Sequence, residues 1–159
     1  MFRSSRPATG TPLSGEAMLS AIRGHHVGNH RLAQLAYEFG QVHHRALSGR
    51  ECECHDRRDR LIREVDTWAR QHLPIPHPDA VLHTETLGTV IDRIAQAQVR
   101  AYHLLMTVDD VAAPQVHAAW YRLAQLVDDY RDLITAVEQR SLRVPTPGHY
   151  RARSAGPKT

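Results

Sequence analysis

Apolar residues from His83 to Leu105 recur every three or four positions, which is the period of an α-helix. At roughly 100° per residue, one side of this helix gathers Leu87, Val90, Ile91, Ile94, Ala101 and Leu105. Glu85, Asp92 and His103 fall within about 20° of one another on the opposite side. The segment therefore predicts a helix with a core-facing stripe and a polar stripe. The polar stripe is either solvated surface or one wall of a site.

The first helical segment along the chain follows the N-cap residue Ser14 and ends at about Leu47. Gly24 and Gly28 weaken its early half, because glycine lowers helix stability. We therefore expect one helix with a break or kink near residues 25–29.

Two more segments have helical spacing. One runs from about Glu51 to His72 and ends at a proline-rich stretch, because proline lacks a backbone donor and restrains the preceding residue. The other begins at Pro114, which fits the first turn of a helix, and continues to about Val137. No alternating run of β-branched residues indicates a strand.

These segments predict an all-α fold, a four-helix up-down-up-down bundle. The helix that begins near His83 is predicted to have Thr84 as its N-cap and to end near Val108. Short connections join the first helix to the second and the third to the fourth, so each pair should be antiparallel. We predict one domain over residues 14–141. Residues 1–13 and 142–159 are predicted disordered tails, since their composition cannot offset ordering entropy by burial.

Charge and hydropathy exclude two classes of partner. The sequence has 20 basic and 17 acidic side chains, but six of the basic ones lie in the predicted tails. The body therefore carries a slight negative charge, which does not favour specific nucleic-acid binding. No segment has the apolar run of a membrane span or a secretory signal. We expect a cytoplasmic protein without a membrane partner.

Twelve histidines invite a search for metal ligands. His26 and His30 lie one turn apart, and His43 and His44 precede the run Glu-Cys-Glu-Cys-His at residues 51–55, which has the donor types for zinc. The first site is disfavoured because His26 and His30 lie in the glycine-interrupted part of their helix, and the second because Cys-x-Cys directs its two thiols differently. No Glu-x-x-His pair, as in di-iron bundles, occurs. We predict no metal site and leave the cofactor unknown.

Two polar residues fall on predicted apolar faces. Arg58 lies on the same side of its helix as the apolar residues, and a buried guanidinium needs an anion, for which Asp66 or Asp92 is the expected partner. The alternative is a solvated face with weak ion pairs. Gln98 lies within the apolar stripe and needs hydrogen-bond partners if it is buried.

The motifs in these helices resemble a known family. The stretch Thr-Glu-Thr-Leu-Gly-Thr-Val-Ile-Asp-Arg at 84–93, followed by Arg-Ala-Tyr-His at 100–103, resembles a bacterial family catalogued as domain of unknown function 4254. A weaker likeness lies at 56–66, and the weakest is at Asn29. The resemblance spans roughly residues 25–140. It implies a helical domain with a shared polar stripe and brings no established activity.

The leading hypothesis is a pocket or subunit interface lined by the polar stripe and by acids and arginines of the preceding helix. The protein would bind a small polar or anionic ligand or act as an accessory enzyme. The candidates are Glu85, Asp92 and His103 for acid–base catalysis and Arg58, Asp66 and Arg93 for ligand binding. The three catalytic candidates are roughly 10 to 16 Å apart along the helix and cannot all contact one atom. The alternatives are a noncatalytic homo-oligomeric interaction protein and a metal-binding bundle enzyme that uses the histidines.

Overall fold

The computed structural model describes residues 10–146, apart from the side chain of Cys52. Within that range the chain forms five α-helices and two short strands. They are α1 (Gly15–Ile22), α2 (Arg31–Leu47), α3 (Glu51–His72), β1 (Val81–Leu82), α4 (Leu87–Thr107), α5 (Pro114–Glu138) and β2 (Leu142–Arg143). The predicted helical character is confirmed, whereas the helix count of four and the absence of strands are wrong.

The first predicted helix is divided into α1 and α2. The predicted N-cap is confirmed, because Ser14 Oγ accepts a hydrogen bond from the backbone N–H of Ala17 at 3.1 Å. Gly24 and Gly28 have φ values of +85° and +55°, which a right-handed helix cannot include. The chain then restarts at His30, whose Nδ1 accepts from the N–H of Leu32. The predicted kink is therefore a complete break.

The two strands form a small parallel ladder that the sequence did not predict. Val81 pairs with Leu142, and Leu82 pairs with Arg143. Two residues are too few for an alternating pattern, so periodicity gave no signal. The strand at Leu142 also shows that the predicted C-terminal tail begins too early. The rest of that prediction, residues 147–159, and residues 1–9 of the other predicted tail lie outside the described residues.

The predicted N-terminal tail includes residues 10–13, but Leu13 belongs to the hydrophobic core. Its side chain is buried, and its carbonyl accepts a hydrogen bond from the Tyr130 hydroxyl at 2.8 Å. An apolar residue next to an N-cap can anchor the chain entering a helix, which explains why the domain starts before Ser14.

α4 lies at the centre of the fold and contacts α1, α2, α3 and α5. It begins at Leu87 with Thr86 as its N-cap, two residues after the predicted cap Thr84, so Glu85 precedes the helix. The backbones of α3 and α4 come close together at Gly88. A Cβ atom at this position would overlap the carbonyl oxygen of Ile62, so only glycine fits. None of the described helices has the length and apolar character needed to cross a lipid bilayer.

Candidate functional site

Asp92 joins three helices through hydrogen bonds. Its side chain on α4 is buried, with the residue 3% exposed. His43 Nε2 on α2 lies 2.8 Å from Oδ1, and it is the donor because an ionised carboxylate can only accept. Arg58 on α3 donates from Nε to both carboxylate oxygens at 2.8 and 2.9 Å and from Nη2 to Oδ2 at 2.7 Å. The expected pairing of Arg58 with a buried carboxylate is confirmed, and the partner is Asp92.

These contacts determine the charge of Asp92. Burial alone raises the pKa of a carboxyl group, but hydrogen bonds from His43 and Arg58 outweigh it and hold the pKa of Asp92 below its usual range. The same hydrogen bond raises the pKa of Arg58, which is 37% exposed. A carboxylate that is stabilised in its ionised form is a weak base. The geometry is that of an internal ion network tying α2, α3 and α4.

Of the two interpretations of the polar stripe, solvated surface does not hold at Asp92, because this residue is buried. The side chains lie around the α4 axis in the predicted directions. Neighbouring helices cover α4 on several sides, however, so the side opposite the core-facing stripe is also partly enclosed. A helical wheel gives the direction of a side chain and not the number of helices that surround it.

Asp66 is a second buried carboxyl group, on α3, and the residue is 5% exposed. Its Oδ1 accepts a hydrogen bond from the backbone N–H of Gly88 at 2.8 Å, in the first turn of α4. Within the described part of the chain it forms no ion pair. Burial raises the pKa of Asp66, and hydrogen bonds from Gly88 and Thr86 only partly oppose this effect. Asp66 thus binds the start of α4, where backbone N–H groups lack partners within the helix.

Glu85 and Arg93 form a half-buried ion pair. They line a groove of about 360 Å³ together with His83, Asp129 and Asp132. Burial, with a smaller effect of the Arg93 charge, lowers the pKa of His83. This groove mixes acidic and basic side chains, with the guanidinium and carboxylate of the pair already engaged.

His103 is exposed and lines a different cavity, which we call the α2–α4 groove. It has a volume of about 530 Å³ and lies between α2, the end of α1 and α4. Its apolar lining includes Ile22, Tyr37, Val99, Tyr102 and Met106, and its polar lining includes Arg23, His44, Arg45, Gln98 and His103. The structure therefore places Glu85, Asp92 and His103 in three different surroundings and does not bring them together.

Two polar groups of the α2–α4 groove are held in place by α1 and α4. Arg23 Nη1 donates to the Tyr102 hydroxyl at 2.7 Å, and its guanidinium lies 5.7 Å from the centre of the same ring. Gln98, which is 2% exposed, donates from Nε2 to the carbonyl of Leu19 at 3.2 Å. Its Oε1 is buried and has no hydrogen-bond partner within the described structure. The expected need of Gln98 for partners is thus met at one atom and left open at the other.

Sequence reasoning missed the role of His43 in the Asp92 network and that of Arg23 in the groove. A signal existed for His43, because it lies four residues after Phe39 on the buried face of α2, as an imidazole within an apolar stripe. Arg23 follows the last residue of a short helix and comes close to Tyr102 only through the tertiary fold. Nothing in the local sequence pattern indicates that contact.

The histidines considered as metal ligands have separate contacts. His26 Nδ1 lies 3.1 Å from Ser20 Oγ, His30 caps α2, His43 binds Asp92, and His44 lines the α2–α4 groove. In the part of the chain that the structure describes, no group of three or more His, Cys, Asp or Glu side chains is arranged to hold a metal ion. The metal-binding alternative therefore has no assembled ligand set among these residues.

Comparison with known proteins identifies one family. A family model described as protein of unknown function (DUF4254) matches residues 50–142. The matched range contains the motif at 84–93 and the weaker one at 56–66. It begins well after Asn29, the weakest of the three likenesses. No curated protein and no solved structure matches the chain.

Proposed function

We propose that this member of the DUF4254 family, whose family model spans more than half of the chain, binds a small amphipathic anion. The proposed site is the α2–α4 groove. The proposal keeps the expected small polar or anionic ligand and moves its site from Glu85 and Asp92 to the His103 end of α4. The observation that carries it is Gln98 Oε1, a buried acceptor at an apolar groove that has no hydrogen-bond partner in the described part of the chain.

The size and lining of the groove suit a small molecule. Its volume of about 530 Å³ lies within the range of roughly 300 to 1,000 Å³ that is usual for ligand pockets. Tyr37 and Met106 are exposed at its edge, so a bound ligand would remove apolar surface from water. An apolar or aromatic group on the ligand is therefore favoured.

The charged groups around the groove favour an anion. Arg23 and Arg45 contribute guanidinium groups, and no carboxylate is among the described residues that line it. Arg23 is already positioned by its hydrogen bond to Tyr102. Its side chain therefore loses less conformational entropy on binding a ligand than an unrestrained arginine would. His44 and His103 add two polar side chains that can donate or accept hydrogen bonds.

Gln98 adds a requirement for a hydrogen-bond donor. A buried acceptor without a partner lowers stability relative to one that is satisfied. The amide nitrogen is already committed to Leu19, which leaves Oε1 to accept from a ligand. An N–H or O–H group next to the apolar part of the ligand would satisfy it.

The groove supports binding better than acid–base catalysis. Of the three catalytic candidates, His103 alone is among its lining residues, while Asp92 is held in the internal ion network and Glu85 is paired with Arg93. Their catalytic roles stay predictions, as does assembly into a homo-oligomer.

Titration with 8-anilinonaphthalene-1-sulfonate tests the proposal, because this dye is an aromatic anion with one N–H donor and its fluorescence rises in apolar sites. We expect saturable binding of one dye per chain. Val99→Trp should abolish binding by filling the groove, and Arg23→Gln and His103→Ala should each raise the Kd about tenfold. The matched controls are Arg122→Gln and His117→Ala, which are exposed on α5 outside the groove.

Equal dye binding by the groove variants and the controls would contradict the proposal. Such a result would place the dye on other exposed apolar residues, such as Ile75 or Tyr121. Dye binding that the groove variants do reduce then provides a displacement assay for small carboxylates, sulfonates and phosphates with apolar groups.

A further inference from the structure

A groove on α3 combines a buried hydrogen-bond donor with arginines that form no ion pair within residues 10–146. We call it the Trp68 groove; it has a volume of about 480 Å³ and is lined by Trp68, Arg60, Arg63 and other residues of α3, and by residues at the start of α2. It lies apart from the α2–α4 groove and shares none of its lining residues. What it binds is therefore a separate question from the proposed function.

The side chain of Trp68 has one polar atom, the indole nitrogen Nε1. The residue is 3% exposed, and its Nε1–H is buried without a hydrogen-bond partner among the described residues. Its ring is fixed by His72, which stacks on it at a centroid distance of 4.9 Å, and by His30 at 5.9 Å. The indole nitrogen can only donate, so any group that satisfies it must be an acceptor.

The charges of the groove are those of an anion site. Arg60 and Arg63 are exposed and form no ion pair with any described residue. Arg60, Arg63 and Thr67 follow one another at i, i+3 and i+7 on α3, so they face the same side of the helix. The groove's one carboxylate among the described residues, Glu64, is paired with Arg31. Two guanidinium groups thus remain available for an anion.

We propose that the Trp68 groove binds a phosphate-type oxyanion, with the indole N–H of Trp68 and the guanidinium groups of Arg60 and Arg63 as donors. Guanidinium groups bind phosphate oxygens with strong, charge-assisted hydrogen bonds. Two positive charges and a neutral donor match a doubly charged tetrahedral anion better than a single carboxylate. The amide groups of Asn29 and Gln71 lie at the same groove and are further potential donors.

Nuclear magnetic resonance of the indole N–H groups tests this directly, because the chain has only two tryptophans, Trp68 and Trp120. The Trp120→Phe variant assigns the two signals. Inorganic phosphate is added to the wild-type protein at constant ionic strength, with chloride as the reference salt. We expect a saturable downfield shift of the Trp68 indole proton and no comparable shift for Trp120.

Surface variants separate the site from a general effect of salt. Arg60→Gln and Arg63→Gln should each raise the phosphate Kd about tenfold, and the matched control Arg100→Gln on α4 should leave it unchanged. These residues are exposed, so the variants should fold. Calorimetry of Trp68→Phe, which keeps an aromatic ring and removes the donor, should show weaker phosphate binding than the wild-type protein.

Several outcomes would overturn the proposal. They are an indole signal that does not move, a shift that chloride reproduces, and phosphate binding that the arginine variants leave unchanged. Sulfate should produce the same shift as phosphate, and acetate should bind more weakly. Equal binding of acetate would contradict the preference for a tetrahedral dianion.

Discussion

Asp66 and Asp92 are both buried where α3 and α4 meet other helices, yet their carboxyl groups have different partners. Asp92 receives hydrogen bonds from a guanidinium and an imidazole, and its pKa lies below the usual range. Asp66 receives backbone and hydroxyl hydrogen bonds without an ion pair in the described chain, and burial raises its pKa. Burial alone therefore does not determine the charge of an aspartate; the charge of its partners does.

Some buried polar groups of this fold bind other protein groups and hold helices together, whereas others keep an atom that could bind a ligand. Both aspartates bind protein groups from neighbouring helices, so each fixes how α4 packs. Buried polar atoms that have no hydrogen-bond partner among the described residues lie elsewhere and include Gln98 Oε1 and Trp68 Nε1. Unsatisfied atoms, rather than acidic residues in the core, are the better indicators of ligand sites here.

Asp92→Asn should have the largest effect on stability. The substitution removes the charge that Arg58 and His43 bind, and breaking such a network should lower the free energy of unfolding by about 2 to 4 kcal/mol, since Arg58 remains partly hydrated. Urea unfolding followed by circular dichroism at neutral pH measures the loss. Asp66→Asn is the matched control and should change stability by less than about 1 kcal/mol, because its amide oxygen can still accept from Gly88. Equal losses would show that the two carboxyl groups do not differ as described.

The pH dependence of stability should have opposite signs for the two residues. The pKa of Asp66 is raised, so its contribution is fully present below the ordinary value of 3.8 and is lost as pH rises through its folded pKa. The pKa of Asp92 is lowered, so its contribution is present above 3.8 and is lost as pH falls through its folded pKa. Relative to the wild-type protein, Asp66→Asn should become more stable as pH rises above 3.8. The deficit of Asp92→Asn should shrink as pH falls below 3.8, and unfolding curves at several pH values check both slopes.

Glu85→Gln should have the smallest effect. The Glu85–Arg93 pair is about a third exposed on both sides, so water screens it, and its loss should lower the free energy of unfolding by less than about 1 kcal/mol. Thermal unfolding at low and high salt measures this contribution, which should fall as salt increases. A loss as large as that of Asp92→Asn would mean that this half-buried pair also determines how α4 packs.

Much of the fold follows from the sequence because long helices repeat their pattern many times. α3 and α5 show the three-and-four spacing over more than twenty residues, and the cap at Ser14 and the helix start at Pro114 are local signals. The two-residue strands have no repeat to detect. The break before α2 depends on left-handed backbone at Gly24 and Gly28, which glycine permits but does not require.

Less of the candidate sites follows from the sequence. The sequence predicted that Arg58 pairs with an aspartate and that Gln98, if buried, needs hydrogen-bond partners, because a polar residue on an apolar face needs a partner. The sequence left open whether Asp92 lies on a solvated surface or in an enclosed site, since its position opposite the apolar stripe gives no measure of how many helices surround α4. The α2–α4 groove depends on the contact of Arg23 with Tyr102, 79 residues later, which no local pattern contains.

The most direct test is a carbon-13 titration of the aspartate carboxyl groups in the folded protein, assigned with Asp66→Asn and Asp92→Asn. We expect Asp92 to titrate below the ordinary value of 3.8 and Asp66 to titrate above it. An Asp92 signal that titrates above 3.8, or an Asp66 signal that titrates below it, would contradict the claim that their partners set their charge.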